Sequence, residues 1–301
     1  MSILFCQELK IISNLDISDR KCYTYPMEKI YEITAKGNKL PQDMKSYLYS
    51  LGLSVTLVKK AKYGGIILNG TAVTVRAQVN EGDKIEIFLP KATSDGIPPM
   101  DIPLNVLYED EHLLAVDKPT NMPTHPSKGN NLPTLANAVM GYYGGNFVFR
   151  SVNRLDRDTS GVVIIAKTQI SASNMSSSMK KGLWQKKYHA IVEGHPSPES
   201  GRIDAPIERI EEGNIKRTVR ADGKRAITDY TVIEKMDDSS LCEITLLTGR
   251  THQIRVHMSH IGHPLVSDFL YGTKSEKEYY LRCKEITFPH PITNEPLTIK
   301  A

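Results

Sequence analysis

Asn153-Arg154-Leu155-Asp156-Arg157-Asp158-Thr159-Ser160-Gly161, followed at once by Val162-Val163-Ile164-Ile165-Ala166, is the densest stretch of chemistry in this 301-residue chain. The apolar run reads as a buried strand. The residues before it read as a polar turn ending in Ser-Gly. A carboxylate two residues after an arginine then sits at the mouth of a sheet, where hydroxyls and backbone N–H groups can orient it. Taken alone, a turn rich in Arg and Asp is more often a solvated salt-bridge cluster.

Working outward, Leu113 to Val116 is a second compact strand candidate. Tyr188, Ala190 and Val192 alternate against Lys187, His189 and Glu193, and Cys242, Ile244 and Leu246 do likewise, which describes half-exposed strands. Met175, Met179 and Leu183 recur every four residues and mark one helix face. Strands outnumber helices without regular interleaving, so the expected class is α+β rather than a Rossmann type.

Residues 27–92 read as a separate small α+β unit. Met44–Leu51 and Val55–Tyr63 are short helices, the second carrying Lys59, Lys60 and Lys62. Ile66–Leu68, the Asn69-Gly70 turn and Val73–Val75 predict a hairpin, and Ile85, Ile87 and Leu89 one face of a last strand. Ser94, Gly96, Pro98, Pro99 and Pro103 make 93–103 the expected linker, ahead of a catalytic domain over 104–301. Residues 1–26 show no clear period and are read as an extension: either a poorly ordered terminus or sequence ahead of the true start at Met27.

Hydrophobic residues at 40% and charged ones at 24% exclude a disordered or fibrous chain. The longest apolar runs fall far short of the ~18 residues of a membrane span. No signal peptide is apparent, and the four cysteines are scattered, so a cytoplasmic protein that binds no membrane is expected. The net charge of +4 says little, but its distribution says more. Arg150, Arg154, Arg157, Lys167, Lys180, Lys181, Lys186 and Lys187 face only Asp156 and Asp158, and Lys216, Arg217, Arg220, Lys224 and Arg225 face only Asp222. Basic surface of this kind suits a phosphate backbone, although any single cluster is commonly a solvated face.

A second segment runs Thr248-Gly249-Arg250-Thr251-His252-Gln253-Ile254-Arg255-Val256-His257-Met258 to Gly262-His263-Pro264. It predicts a helix with Thr251 as N-cap and Gly262 as C′ residue. Ile254, Met258 and Ile261 form its apolar face. Arg255 flanks that face, where a partly buried guanidinium would need a carboxylate partner. The spacing of His252, His257, His260 and His263 is not a usual ligand pattern, so no metal site is expected.

Here the resemblance becomes specific. Asn153–Gly161 resembles the H-R-L-D-x-x-T-S-G motif of the RluA-type pseudouridine synthases, and Thr248–Met258 their T-G-R-T/S-H-Q-I/L-R-V-H-M motif. Lys187–Gly194 resembles the family's K-x-Y-x-A-x-V-x-G strand, and Leu107–Pro119 its Y-E-D…V-x-K-P segment. The four occur in the family's order over about residues 104–297. Residues 40–90 resemble, more loosely, the S-four-type RNA-binding domain that often precedes this catalytic domain. Two positions depart from the pattern: Asn153 stands where the family has His, and Leu281-Arg282-Cys283 where it commonly has L-H-A.

The resemblance implies a mixed, largely antiparallel sheet with a central cleft. It implies isomerisation of uridine to pseudouridine in structured RNA, ribosomal RNA first and transfer RNA as the second candidate, with no cofactor or metal. Asp156 would be the catalytic carboxylate, Arg255 the arginine that pairs with it, and Tyr188 the aromatic residue that stacks on the uracil and assists proton removal from carbon 5. Arg154, Lys118, Arg250, His252 and Gln253 would bind substrate. A monomer is expected. The alternatives left open are an RNA-binding protein of the same fold without catalysis, and a hydrolase of the same glycosidic bond.

Overall fold

The computed structural model describes residues 27–62, 65–94, 96–127, 133–273 and 278–301. The reading of 1–26 as an extension lies outside them. The chain divides into two compact units, the first ending at Ala92 and the second beginning at Thr93.

The first unit comprises β1 (Met27–Thr34), β2 (Gln42–Asp43), α1 (Met44–Ser50), α2 (Val55–Ala61), β3 (Ile66–Leu68), β4 (Thr71–Ala72), β5 (Gln78–Val79) and β6 (Lys84–Pro90). An antiparallel sheet runs β1-β6-β3-β4, and β2 pairs with β5. Asp43 and Ser54 accept from the Ser46 and Leu57 amides and so start the two helices. Ile85, Ile87 and Leu89 are fully buried in one cluster with Met44, Leu48 and Leu57, as their alternation requires. The second hairpin strand is shorter than expected. The Val73 amide still reaches Ile66 O, but Thr74 then accepts from the Arg76 and Ala77 amides and closes a turn where Val73–Val75 had been read as strand.

The second unit contains β7 (Asn105–Glu109), β8 (Leu113–Lys118), α3 (Leu135–Tyr142), β9 (Ser160–Ala166), α4 (Gln169–Lys180), β10 (Gln185–Glu193), β11 (Ser200–Asp204), β12 (Ile207–Arg209), β13 (Arg217–Val219), β14 (Ile227–Lys235), β15 (Ser239–Leu246), α5 (Gln253–His260), β16 (Leu281–Pro289) and β17 (Pro296–Lys300). One large sheet runs β11-β14-β15-β10-β16-β9-β8-β7, with β17 on β16. Every pairing in it is antiparallel except β16 with β9, which are parallel over Arg282–Ser160 and Cys283–Gly161. Farther along, β16 turns to β17, and side chains such as Arg282, bonded to Asp117 at 2.7 Å, add to this short seam between the two halves. The backbones meet closely there. Gly161 has φ +108°, and a Cβ on it would lie 2.2 Å from Cys283 O, so only glycine fits. β9 is buried along its whole length, consistent with its unbroken apolar run.

Two expectations shift. Ser94 and residues 96–102 are not a free linker: Ser94 Oγ accepts from the Phe149 amide, and Asn137 of α3 bonds Pro98 O and the Met100 amide. Leu183 leaves the helix face it was assigned to, because α4 ends at Lys180 and Gly182 turns the chain at φ +75°. Trp184 fills the core instead, stacked on Phe288 at 4.5 Å.

Candidate active site

The loop before β9 is tied down on several sides. Asn153 is buried and acts like a peptide group: its Nδ2 donates to Val162 O at 3.0 Å and its Oδ1 accepts from the Ile164 amide at 2.8 Å. The residue that departs from the family motif thus extends the edge of β9. Thr124 Oγ1 donates to Leu155 O and accepts from the Leu155 amide. The Thr159 amide donates to Asp156 O and closes the turn. Arg157 and Asp158 pair with each other through Nε–Oδ1 at 2.8 Å and Nη2–Oδ2 at 3.0 Å. The salt-bridge reading of this segment therefore applies to that neighbouring pair. Asp156, whose side chain is 35% exposed, faces a cleft.

Lys118 corrects an expectation. It was assigned to substrate, but it is 0% exposed, and its Nζ donates to Pro119 O, Met122 O and Arg157 O at 2.8, 2.7 and 3.1 Å. A side chain enclosed in this way holds the Asp156 loop and cannot meet RNA. Burial pulls its ammonium down to about 8, against the pull of Asp158, Asp156 and Asp117.

Gln253 is a second correction. It is 2% exposed, and its amide is fully committed: Oε1 accepts from Thr248 Oγ1 and the Arg250 amide, while Nε2 donates to Ile227 O and Thr228 Oγ1. It pins the start of α5 to β14. Thr228 Oγ1 donates a hydrogen bond to His257 Nδ1, and His257 Nε2–H donates to Ala205 O, which can only accept. The N-cap also differs. His252 occupies it in the left-handed region at φ 58° without a capping side-chain bond. At the other end Gly262 is the C′ residue with φ +84°, and the His263 and Gly262 amides close on Met258 O and Ser259 O.

Arg255 is 4% exposed and has the carboxylate partner its position demanded, but that partner is Asp268 rather than Asp156. Nε and Nη2 meet the two oxygens at 2.7 and 2.6 Å. Phe269, Tyr271 and Tyr279 place their ring centroids 5.1, 5.1 and 5.8 Å from the guanidinium. Burial is the largest influence and opposes the charge, but the Asp268 bonds together with the charges of Tyr279, Asp268 and Asp156 outweigh it and hold Arg255 above arginine's ordinary value. Asp156 acts on this guanidinium through space.

His252 stands nearest to Asp156, with Nε2 3.9 Å from Oδ2. Tyr271 Oη accepts from the Arg217 amide and is bonded to His252 Nδ1 at 2.9 Å. When that phenol donates to Nδ1, the ring carries its hydrogen on Nε2, on the side of Asp156. Burial lowers the His252 pKa, with Asp156 pulling the other way. Tyr188 on β10 lines the same cleft, opposite Cys283 and Ile244 in the register. Burial pushes its hydroxyl well up, so it remains a phenol. Arg154 and Arg250 are exposed at the rim, and Arg250 Nε is bonded to Arg225 O at 2.9 Å. Lys186, by contrast, is drawn inward over Trp184, and burial lowers it. The site thus joins Asp156, Tyr188, Arg255, His252, Arg154 and Arg250. Asp268, Tyr271 and Tyr279 had escaped notice, and the single signal for them was Arg255's need of a counter-charge.

A family model described as RNA pseudouridylate synthase matches residues 112–260. The uncharacterized RNA pseudouridine synthase YjbO of Bacillus subtilis (strain 168) is 38% identical over 266 residues, covering 86% of this chain and 94% of that one. The ribosomal large subunit pseudouridine synthase D of Zymomonas mobilis is 38% identical over 238 residues, covering 72% of this chain and 74% of its own. The structure of human RNA pseudouridylate synthase domain containing 1 aligns with a TM-score of 0.58 at 26% identity, over 68% of this chain and 85% of that one.

Proposed function

This chain belongs to the RNA pseudouridine synthase family and is an isomerase; from that premise we propose that it converts particular uridines of structured RNA, ribosomal RNA first, to pseudouridine with Asp156 as catalytic group. One observation carries the assignment. Among the described residues lining the cleft, Asp156 is the only carboxylate; His252 Nε2 lies 3.9 Å from it, and Tyr188 lines the same cleft. The atoms balance without a co-reactant: the bond from uracil N1 to the sugar breaks, the base turns, carbon 5 bonds to the same sugar carbon, and the proton leaving carbon 5 is matched by one gained at N1. Tyr188 offers a flat face to the uracil. As a buried phenol it suits stacking better than accepting a proton. Arg255 acts as a fixed positive charge behind Asp156. Arg154 and Arg250 offer guanidinium groups to the backbone of RNA whose target base has left the stack. Ribosomal RNA is favoured by the names of relatives such as the Zymomonas mobilis ribosomal large subunit pseudouridine synthase D.

In the same reading the first unit is an S-four-like RNA-binding domain. Its support is the exposed pair Lys59 and Lys60 on α2. Charge reversal at both should flatten the salt dependence of RNA affinity.

The test is tritium release from RNA labelled at uridine carbon 5 and prepared from cells lacking the gene. Release with pseudouridine as the nucleoside product supports the reading. Binding without release, or release of free uracil, overturns it.

A further inference from the structure

Phe269 is 60% exposed, yet it is no stray apolar side chain. Its ring lies 5.1 Å from the Arg255 guanidinium of α5 and 6.0 Å from that of Arg157 in the Asp156 loop. It forms one wall of a pocket that Thr120, Asn121, Arg157, Ser267 and Tyr279 also line. Asn121 and Ser267 hold positive φ of 55° and 58°, a cost of local strain that the surrounding fold sustains at this edge. The pocket adjoins the catalytic cleft. Tyr279 bonds Thr159, which lines the cleft, and Arg255 lines the cleft while lying against Phe269. The remaining wall is acidic, with Asp158 already satisfied by Arg157 and Glu278 beside it. Carboxylates there repel a phosphate but tolerate a neutral, flat ring with amino or imino donors.

We propose that this pocket is a stacking subsite for the nucleobase of a nucleotide flanking the target uridine, with Phe269 as its platform. The proposal rests on the assignment of the Asp156 cleft to the target uridine. Flipping that uridine strips its neighbour of one stacking face, and an exposed aromatic ring within reach replaces it. Every base has a π-face, so such a platform adds affinity while tolerating different sequences.

The experiment measures tritium release by the full chain on carbon-5-labelled RNA from cells lacking the gene, for wild type, Phe269→Ala, Phe269→Leu and Phe269→Trp. Loss of a stacked base corresponds to a KM increase of about tenfold for Ala and Leu, with kcat within about threefold. Trp should stay near wild type. Leucine keeps apolar bulk against Arg255 without the π-face, so a Leu variant matching wild type would overturn stacking. A loss in kcat alone would also overturn it, by showing that Phe269 merely props Arg255, as would equal KM in all four proteins. If Phe269→Ala does not fold, the Leu and Trp pair decides. A wild type that binds this RNA but releases no tritium defeats the uridine-site assignment itself, and the subsite with it.

Discussion

Lys118 and Arg255 are both buried cations that feel the charge of Asp156, and they are stabilised in different ways. Lys118 faces three backbone carbonyls, whose dipoles do not offset its burial, and its proton affinity falls to about 8. Arg255 faces a carboxylate in fork geometry and three aromatic rings, and its proton affinity rises. A guanidinium so paired remains charged at every accessible pH, whereas a lysine held by dipoles does not. Of the two buried walls that hold the Asp156 site, the Arg255 side is therefore electrostatically fixed, and the Lys118 side, which bonds the loop and does not line the cleft, can lose its charge at about 8.

The largest effect should come from removing the group both walls serve. Asp156→Asn keeps shape and removes charge, so turnover should fall on the order of 10³-fold or more while RNA affinity stays within about threefold. Single-turnover kinetics and filter binding measure the two. Next comes the fixed wall. Arg255→Leu leaves Asp268 buried and unpaired and should cost ~3–5 kcal/mol of stability in urea unfolding, with Asp268→Asn of the same sign. Arg255→Lys should not restore it, because an ammonium cannot fill the fork. A double variant costing the full sum of the two singles would show that the pair is not coupled.

The other wall should respond to pH. As the medium rises through about 8, the Lys118 ammonium loses its proton and one of its three donated bonds, so kcat should decline there. Stability linked to this group moves the opposite way. The native form sheds its proton at about 8 and the unfolded chain only near the ordinary 10.5. Between those values the unfolded state binds more protons, so stability rises with pH through this group. The stability gap between wild type and Lys118→Met should therefore shift in favour of wild type across that window. A gap independent of pH would contradict the assignment.

Smaller effects sharpen the picture. Tyr271→Phe removes the hydroxyl between the Arg217 amide and His252 Nδ1, a loss of about 1 kcal/mol. It should lower kcat several-fold by freeing the His252 tautomer, with KM little changed. Smallest is Arg250→Ala, which should reduce the salt slope of RNA binding by ~1 unit and leave turnover of bound substrate unaltered.

Much of this could be read along the chain. The alternation in β6 and β10, the unbroken apolar run of β9 and the glycine ending α5 are set by contacts within a few residues. Burial period and turn chemistry therefore announce them locally. The motif residues Asp156, Tyr188 and Arg255 were legible for the same reason, as fixed spacings on such elements. Partnership was not. Lys118 and Gln253 looked like substrate ligands because a long polar side chain in a motif has no local mark of whether it points to water or to a carbonyl. Asn153 departs from the family pattern in sequence, and its role as an edge peptide for β9 shows only in the fold. Asp268 answers Arg255 from an aperiodic loop, and His252 meets Asp156 across the cleft from another element. Periodicity is a property of neighbours along the backbone. Which buried charge meets which counter-charge follows from desolvation, a quantity that exists only once distant segments have closed around the side chain.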